Sequence, residues 1–202
     1  MNFGPVLCVA FLALWGIAAS ADHESLAAMF VVNGVLQLIL FSLVAIIPLV
    51  KTGRMSFVDI AWPFGVALIG ILILLMGDGD FIRMACVAGV YLLIGLRMGI
   101  GALTMANTTG VIFKTEFPRY TYRRMELSEK GETSIRLHMG TEILAQGFAN
   151  ASVLAVPGFL IAVNVEEQLH PLEVAGILVW LTAYMLESTA DLQKLKFIAR
   201  NK

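Results

Sequence analysis

The chain has 202 residues, 58% of them hydrophobic and only 14% charged, with a formal net charge of −1. A water-soluble domain carries about a quarter charged residues, so a soluble enzyme or binding module is excluded. The near-neutral balance leaves no electrostatic footprint for nucleic acid.

The length is that of one domain. A bilayer core needs about 20 apolar residues in a helix, and six runs meet or approach that length: residues 3–21, 26–50, 57–76, 81–106, 143–165 and 171–190. The first three links are short, with turn residues such as Gly53 and the Gly77-Asp78-Gly79-Asp80 stretch, so sequential helices run antiparallel. One long polar connection, residues 107–142, separates the fourth span from the fifth. The expectation is a single all-α domain over residues 1–202, a polytopic transmembrane bundle of six helices.

Orientation follows from Lys and Arg, which concentrate on the cytoplasmic side. With six spans, every basic residue except Arg83 and Arg97 falls on one side: Lys51 and Arg54, then Lys114 to Arg136, then Lys194 to Lys202. Both termini are therefore expected in the cytoplasm. The first span has a rival reading, because Ala19-Ser20-Ala21 resembles a signal-peptidase site. No Lys or Arg precedes the apolar stretch, however, and signal peptides have a positive start. A retained helix is expected, and intact mass of the mature protein tests it.

Cys8 and Cys86 fall inside apolar runs at unrelated positions, which reads as two free thiols. His23, His138 and His170 lie far apart in polar connections, and no Cys/His spacing suits a metal. There is no internal repeat and no sign of a helix broken at mid-membrane, features that a small transporter would show. The long connection clusters Arg119, Tyr120, Tyr122, Arg123 and Arg124. Tyrosine and arginine anchor at a headgroup boundary, so this reads as an interfacial helix in a basic loop, or as an arm over a site at the cytoplasmic face.

Ionisable groups inside a span are costly and are functional candidates. Asp59 opens the third span and Arg97 lies inside the fourth. Glu142, Gln146 and Asn150 share one face of the fifth, and Glu187 and Asp191 one face of the sixth. On this topology all converge on the cytoplasmic half of the bundle, around a polar pocket. Asp59 and Arg97 are expected to pair, directly or through water. The plain alternatives are a structural ion pair for these two and interhelical hydrogen bonding for Gln146 and Asn150.

Four stretches add a family resemblance: Val58-Asp59-Ile60-Ala61-Trp62-Pro63, Gly95-Leu96-Arg97, Glu116-Phe117-Pro118-Arg119-Tyr120, and the run from Glu187 to Phe197. In this order they resemble the uncharacterised bacterial branch of the steroid 5-alpha-reductase-like membrane proteins, from about residue 55 onward. The resemblance implies an integral protein of the bacterial inner (plasma) membrane. It also implies NAD(P)H-dependent reduction of a carbon–carbon double bond in a lipid- or steroid-like substrate. The catalytic candidates are Gln146 and Glu187, hydrogen-bonding the substrate's polar end. Glu187, Asp191 and Lys196 are the candidates for NADPH, and Asp59, Trp62, Arg97, Arg119 and Tyr120 for support of the site.

One departure stands out. The family continues beyond the position of Asn201-Lys202 into a module with an Arg-His-Pro-Asn-Tyr-like motif that grips the cofactor. The expectation is that a separate chain supplies it, that the sequence is cut short, or that catalysis has been lost. This chain alone is then expected to bind NADPH weakly, by attraction that salt screens. The expected partners are membrane lipids and a hydrophobic small molecule. The competing class is a non-catalytic membrane scaffold subunit or lipid-binding protein.

Overall fold

The structure, a computed structural model, describes residues 4–19 and 23–200. It is helical, with no strand among the described residues: α1 (Gly4–Ala19), α2 (Glu24–Phe41) continuing through a π-helical turn (Ser42–Ile46) into α3 (Ile47–Thr52), α4 (Val58–Met76), α5 (Phe81–Thr109), α6 (Pro118–Glu129), α7 (Ile135–Ala151), α8 (Ala155–Ala162) and α9 (Pro171–Arg200). Five helices among the described residues are long and apolar enough to cross a membrane: Glu24–Thr52, Val58–Met76, Phe81–Thr109, Ile135–Ala162 and Pro171–Lys194. The protein is thus an integral membrane helix bundle. The Ser20-Ala21 part of the cleavage-site reading, Asp22 and the first expected span residue, Phe3, lie outside the described residues.

The chain forms two compact units, Met1–Val165 and Glu166–Lys202. In the first, α4 is the central helix, packed against α5 along its length and against α2, α7 and α8, while α1 packs on α2 and α7. The Trp15 indole N–H donates to the Phe30 carbonyl (2.7 Å). The second unit is α9. Its entry is held by the Glu173 carboxylate, which accepts from the His170 N–H (2.6 Å), and Trp180 and Tyr184 stack one turn apart on it.

The helices overrun the apolar windows, because hydropathy marks lipid contact rather than the hydrogen-bonded length. The fifth span begins at Ile135 instead of 143, the fourth runs to Thr109, and α9 runs to Arg200. α3 and α5 end where glycine takes the left-handed conformation, Gly53 at φ 75° and Gly110 at φ 76°. A side chain would resist that geometry.

The expectation of unbroken spans is corrected. The fifth is interrupted between α7 and α8, with Ser152 at φ −125°, ψ −86°. Pro157 explains the break, since in a continuous helix its ring would clash with the carbonyl four residues back. Pro48 stands just after the π-helical turn in the same way, and such turns accommodate a disturbed hydrogen-bond ladder. Irregular backbone at membrane depth must be satisfied by protein. Here the Asn33 amide donates to the Asn150 (3.2 Å) and Ala151 (3.4 Å) carbonyls, and the Tyr91 hydroxyl donates to the Leu154 carbonyl.

Asn33 belongs to a buried amide cluster between two apolar cores, one around Met29, Phe30, Ile69 and Phe159, the other around Phe41, Leu49, Met139 and Ile143. Gln37 donates to Asn33 Oδ1 (3.1 Å) and to the Gly65 carbonyl (2.8 Å). Asn150 donates to Gln37 Oε1 (3.4 Å) and to the Trp62 carbonyl (3.0 Å). The cluster ties α2, α4 and α7 together and leaves no room at Gly65, where a Cβ would stand 2.3 Å from Asn150 Nδ2 and 2.4 Å from Gln37 Oε1. Gly65→Ala is expected to destabilise the fold by about 1–3 kcal/mol, because side-chain amides must shift and give up buried hydrogen bonds. Thermal melting in detergent measures it, and an unchanged midpoint would show that the cluster is not under this constraint.

Candidate functional site

The site is built on the turn that leads into α4. The Glu116 carboxylate accepts from the Met55 (2.8 Å) and Ser56 (2.9 Å) N–H groups and from the Ser56 hydroxyl. Ser56 Oγ in turn accepts from the Phe117 N–H (2.8 Å). Arg54 donates to the Phe113 (2.8 Å) and Lys114 (3.1 Å) carbonyls. Arg124 donates to the Gly53 carbonyl and pairs with Glu116 (3.4 Å). A carboxylate that takes several N–H donors is a strong anchor, and these contacts fasten the segment before α6 to the α3–α4 turn. Ile112, at φ 77° and fully buried against Ile60 and Ala106, completes the tight turn after Gly110.

Pro118 starts α6, where its missing N–H costs nothing, and Arg119 and Tyr120 then reach the first turn of α4. Asp59 Oδ1 accepts from Arg119 Nη2 and from the Tyr120 hydroxyl (3.0 Å). Asp59 Oδ2 is buried and meets no donor. Burial pushes the Tyr120 hydroxyl far above the ordinary phenol range, and the adjacent Asp59 carboxylate adds to the shift. Tyr120 therefore remains a protonated donor at neutral pH. The Arg119 guanidinium lies over the Phe117 ring (5.0 Å) and the Tyr120 ring (4.9 Å), a favourable placement for a planar cation.

Beside this group is a cavity of about 260 Å³. Trp62 and Pro63 of α4, Met98, Gly101, Ala102 and Met105 of α5, and Phe117 give it apolar walls, and Asp59, Arg119 and Gln146 give it polar points. Of the residues singled out from sequence, the structure brings together Asp59, Trp62, Arg119 and Gln146 around the cavity, with Tyr120 behind Asp59.

The direct Asp59–Arg97 pair is not found; Arg119 and Tyr120 share Asp59 Oδ1 instead. These two come from the loop rather than from the neighbouring span, and hydropathy cannot place a loop residue on a helix end. The face of Glu142, Gln146 and Asn150 also divides. Glu142 pairs with Arg123 of α6 (2.6 Å), Gln146 lines the cavity, and Asn150 joins the amide cluster. Glu187, Asp191 and Lys196 lie on α9, in the second unit. Sequence reasoning passed over Asn33 and Gln37, although two amides four residues apart in an apolar run were the available signal. It also gave Glu116 no role. No group of three potential metal ligands occurs among the described residues.

A family model described as "Protein of unknown function (DUF1295)" matches residues 46–202. The chain belongs to this family. No curated protein and no solved structure matches it. The matched region contains every residue that lines the cavity, whereas Asn33 and Gln37 precede it. The DUF1295 region thus carries the whole candidate site, and α1 and α2, which precede it, add packing around it.

Proposed function

We propose that this DUF1295 protein binds one hydrophobic, lipid-like molecule in the cavity between α4, α5 and α7, with the polar end of the ligand at Asp59, Arg119 and Gln146. The observation that carries this reading is the cavity itself: apolar walls with a few convergent polar groups are the usual make-up of a small-molecule site. At about 260 Å³ it is of a size for one slender amphiphile. The Lys/Arg bias supports a cytoplasmic position for this end of the bundle.

The resemblance to steroid 5-alpha-reductase-like proteins supports a second step, reduction of a carbon–carbon double bond of the bound molecule by NADPH, with Gln146 holding its polar end. The arginines at the α4 turn and on α6 are poor candidates for holding the dinucleotide. Its phosphates need available cations, yet Arg54 is taken up by carbonyls, Arg119 by Asp59, Arg123 by Glu142 and Glu126, and Arg124 by Gly53 and Glu116. On α9, two of the three candidates, Glu187 and Asp191, are carboxylates. These engaged arginines favour lipid binding in the cavity over a dinucleotide held by the same residues.

Trp62 provides the test. In a Trp15→Phe, Trp180→Phe background, a nitroxide-labelled alkyl probe is expected to quench Trp62 saturably. Ala102→Trp, which fills the cavity, is read by competition with a tritiated alkyl alcohol and is expected to weaken binding at least tenfold, since one well-packed wall lost to steric exclusion exceeds about 1.4 kcal/mol. Unchanged binding would overturn the cavity reading. NADPH titration at low and high salt separates the two activities: tight, salt-insensitive binding supports the reductase.

A further inference from the structure

Gly53, the left-handed residue that ends α3, stands between two guanidinium groups. The point that a Cβ would take there is 3.7 Å from Arg124 Nη1 and 3.7 Å from Arg136 Nη2. Arg124 spends only Nη2 on the protein, on the Gly53 carbonyl and on Glu116. Its side chain is 40% exposed, and Nη1 is open to solvent. Arg136 is exposed and meets no partner among the described residues. Carboxylates of the same segments face other groups: Glu126 and Glu142 face Arg123, and Glu132 faces His138. Arg136 also lies in the first turn of α7, and the Ser134 side chain provides no cap there. That end of a helix carries positive partial charge and disfavours a cation. Two cations held around one point, one of them at the wrong end of a helix, lack a shared anion.

The geometry restricts which anion fits. A carboxylate has two oxygens in one plane and suits the fork of a single arginine. A phosphate spreads its oxygens over a tetrahedron, so different oxygens can accept from the two arginines, and arginine is well matched to it. We infer that Arg124 and Arg136, on either side of Gly53, form a phosphate-binding site. Neither residue lines the cavity, so this site is separate from it. Gly53 directly follows the span Glu24–Thr52, at the end where Lys and Arg concentrate, which is the depth of lipid headgroups. Lys51, in the last turn of α3, adds positive charge at this helix end. An anionic lipid and free phosphate would present the same chemistry here.

The experiment is calorimetric titration of the full chain in uncharged detergent with dihexanoyl phosphatidate, inorganic phosphate and dihexanoylglycerol. Phosphatidate is expected to bind at least tenfold more tightly than dihexanoylglycerol. Arg136→Ala is expected to weaken phosphatidate at least tenfold, the loss of a charge-assisted hydrogen bond. Its fold should hold, because no partner is left unpaired. Lys130→Ala removes the same charge from an ion pair with Glu126 and is expected to change affinity less than twofold. Binding of inorganic phosphate with the same Arg136 dependence supports a site for the free ion. Its failure to bind while phosphatidate does supports a site for the lipid. Dihexanoylglycerol binding as tightly as phosphatidate would overturn the inference. So would equal losses in the two variants, or an Arg136→Ala variant that binds phosphatidate unchanged.

Discussion

Gly95→Ala is expected to cost more stability than Gly65→Ala. A Cβ at this position would stand 2.4 Å from the Ala67 nitrogen, 2.6 Å from the Pro63 carbonyl oxygen and 2.8 Å from the Ala67 Cα. All three are backbone atoms of α4. At Gly65 the obstructing atoms are side-chain amides that can turn aside, whereas here the whole helix must move. Overpacking costs about 1–3 kcal/mol and more when backbone is displaced. Alanine regains at most about 1 kcal/mol through helix propensity, so a net loss of about 2–3 kcal/mol is expected. Gly89→Ala is the control. It lies on the same helix with nothing within 4 Å of its Cβ, and its midpoint is expected to stay level or rise slightly. Equal melting of the two variants in detergent would refute the close α4–α5 approach. The variant should also lose cavity binding, because Pro63 and Met98 on the separating helices line it.

Glu116→Ala is expected to release the segment that presents Arg119 and Tyr120. Three donors, the Met55 and Ser56 N–H groups and the Ser56 hydroxyl, converge on this carboxylate. Ser56 is fully buried, so water cannot replace all of them. Each buried unsatisfied group costs about 1–3 kcal/mol, and with partial relaxation a loss of about 2–4 kcal/mol is expected. Glu116→Gln should recover part of this through its single carboxamide oxygen. Hydrogen exchange of the Met55 and Ser56 amides reads the release directly, and faster proteolysis after Gly110 reads it in the loop. Glu126→Ala is the contrast. Glu126 makes ion pairs with Arg123 and Lys130 at the surface, and such pairs contribute little, so exchange at the α4 turn should not change. If both variants behave alike, Glu116 is not the anchor described.

Much of the fold was legible in the sequence, because the bilayer imposes a single rule: apolar length dictates a helix, and its backbone must be satisfied within it. The spans beginning at Phe57 and Phe81 are found within a few residues, as α4 and α5. The segments that read as polar or irregular were less legible. The loop 107–142 contains α6 and the first two turns of α7. The span expected from residue 143 is broken at Ser152 to Leu154, which Pro157 signals only once the requirement for continuity is applied to each proline.

The candidate site divides in the same way. Composition and spacing by themselves determined that this is a membrane helix bundle and that Asp59, Arg119, Tyr120 and Gln146 are costly or interfacial groups needing partners. The burial cost of each is a local property of its residue type and depth. Only the tertiary structure decided which partners they take. Asp59 goes to Arg119 and Tyr120 across some 60 residues of chain, and Asn150 and Gln146, one turn apart, go to the amide cluster and to the cavity. Pairing depends on how a loop is fastened by Glu116 and on how closely glycines let two helices approach. Those are distances between segments remote in sequence, which no periodicity within one segment encodes.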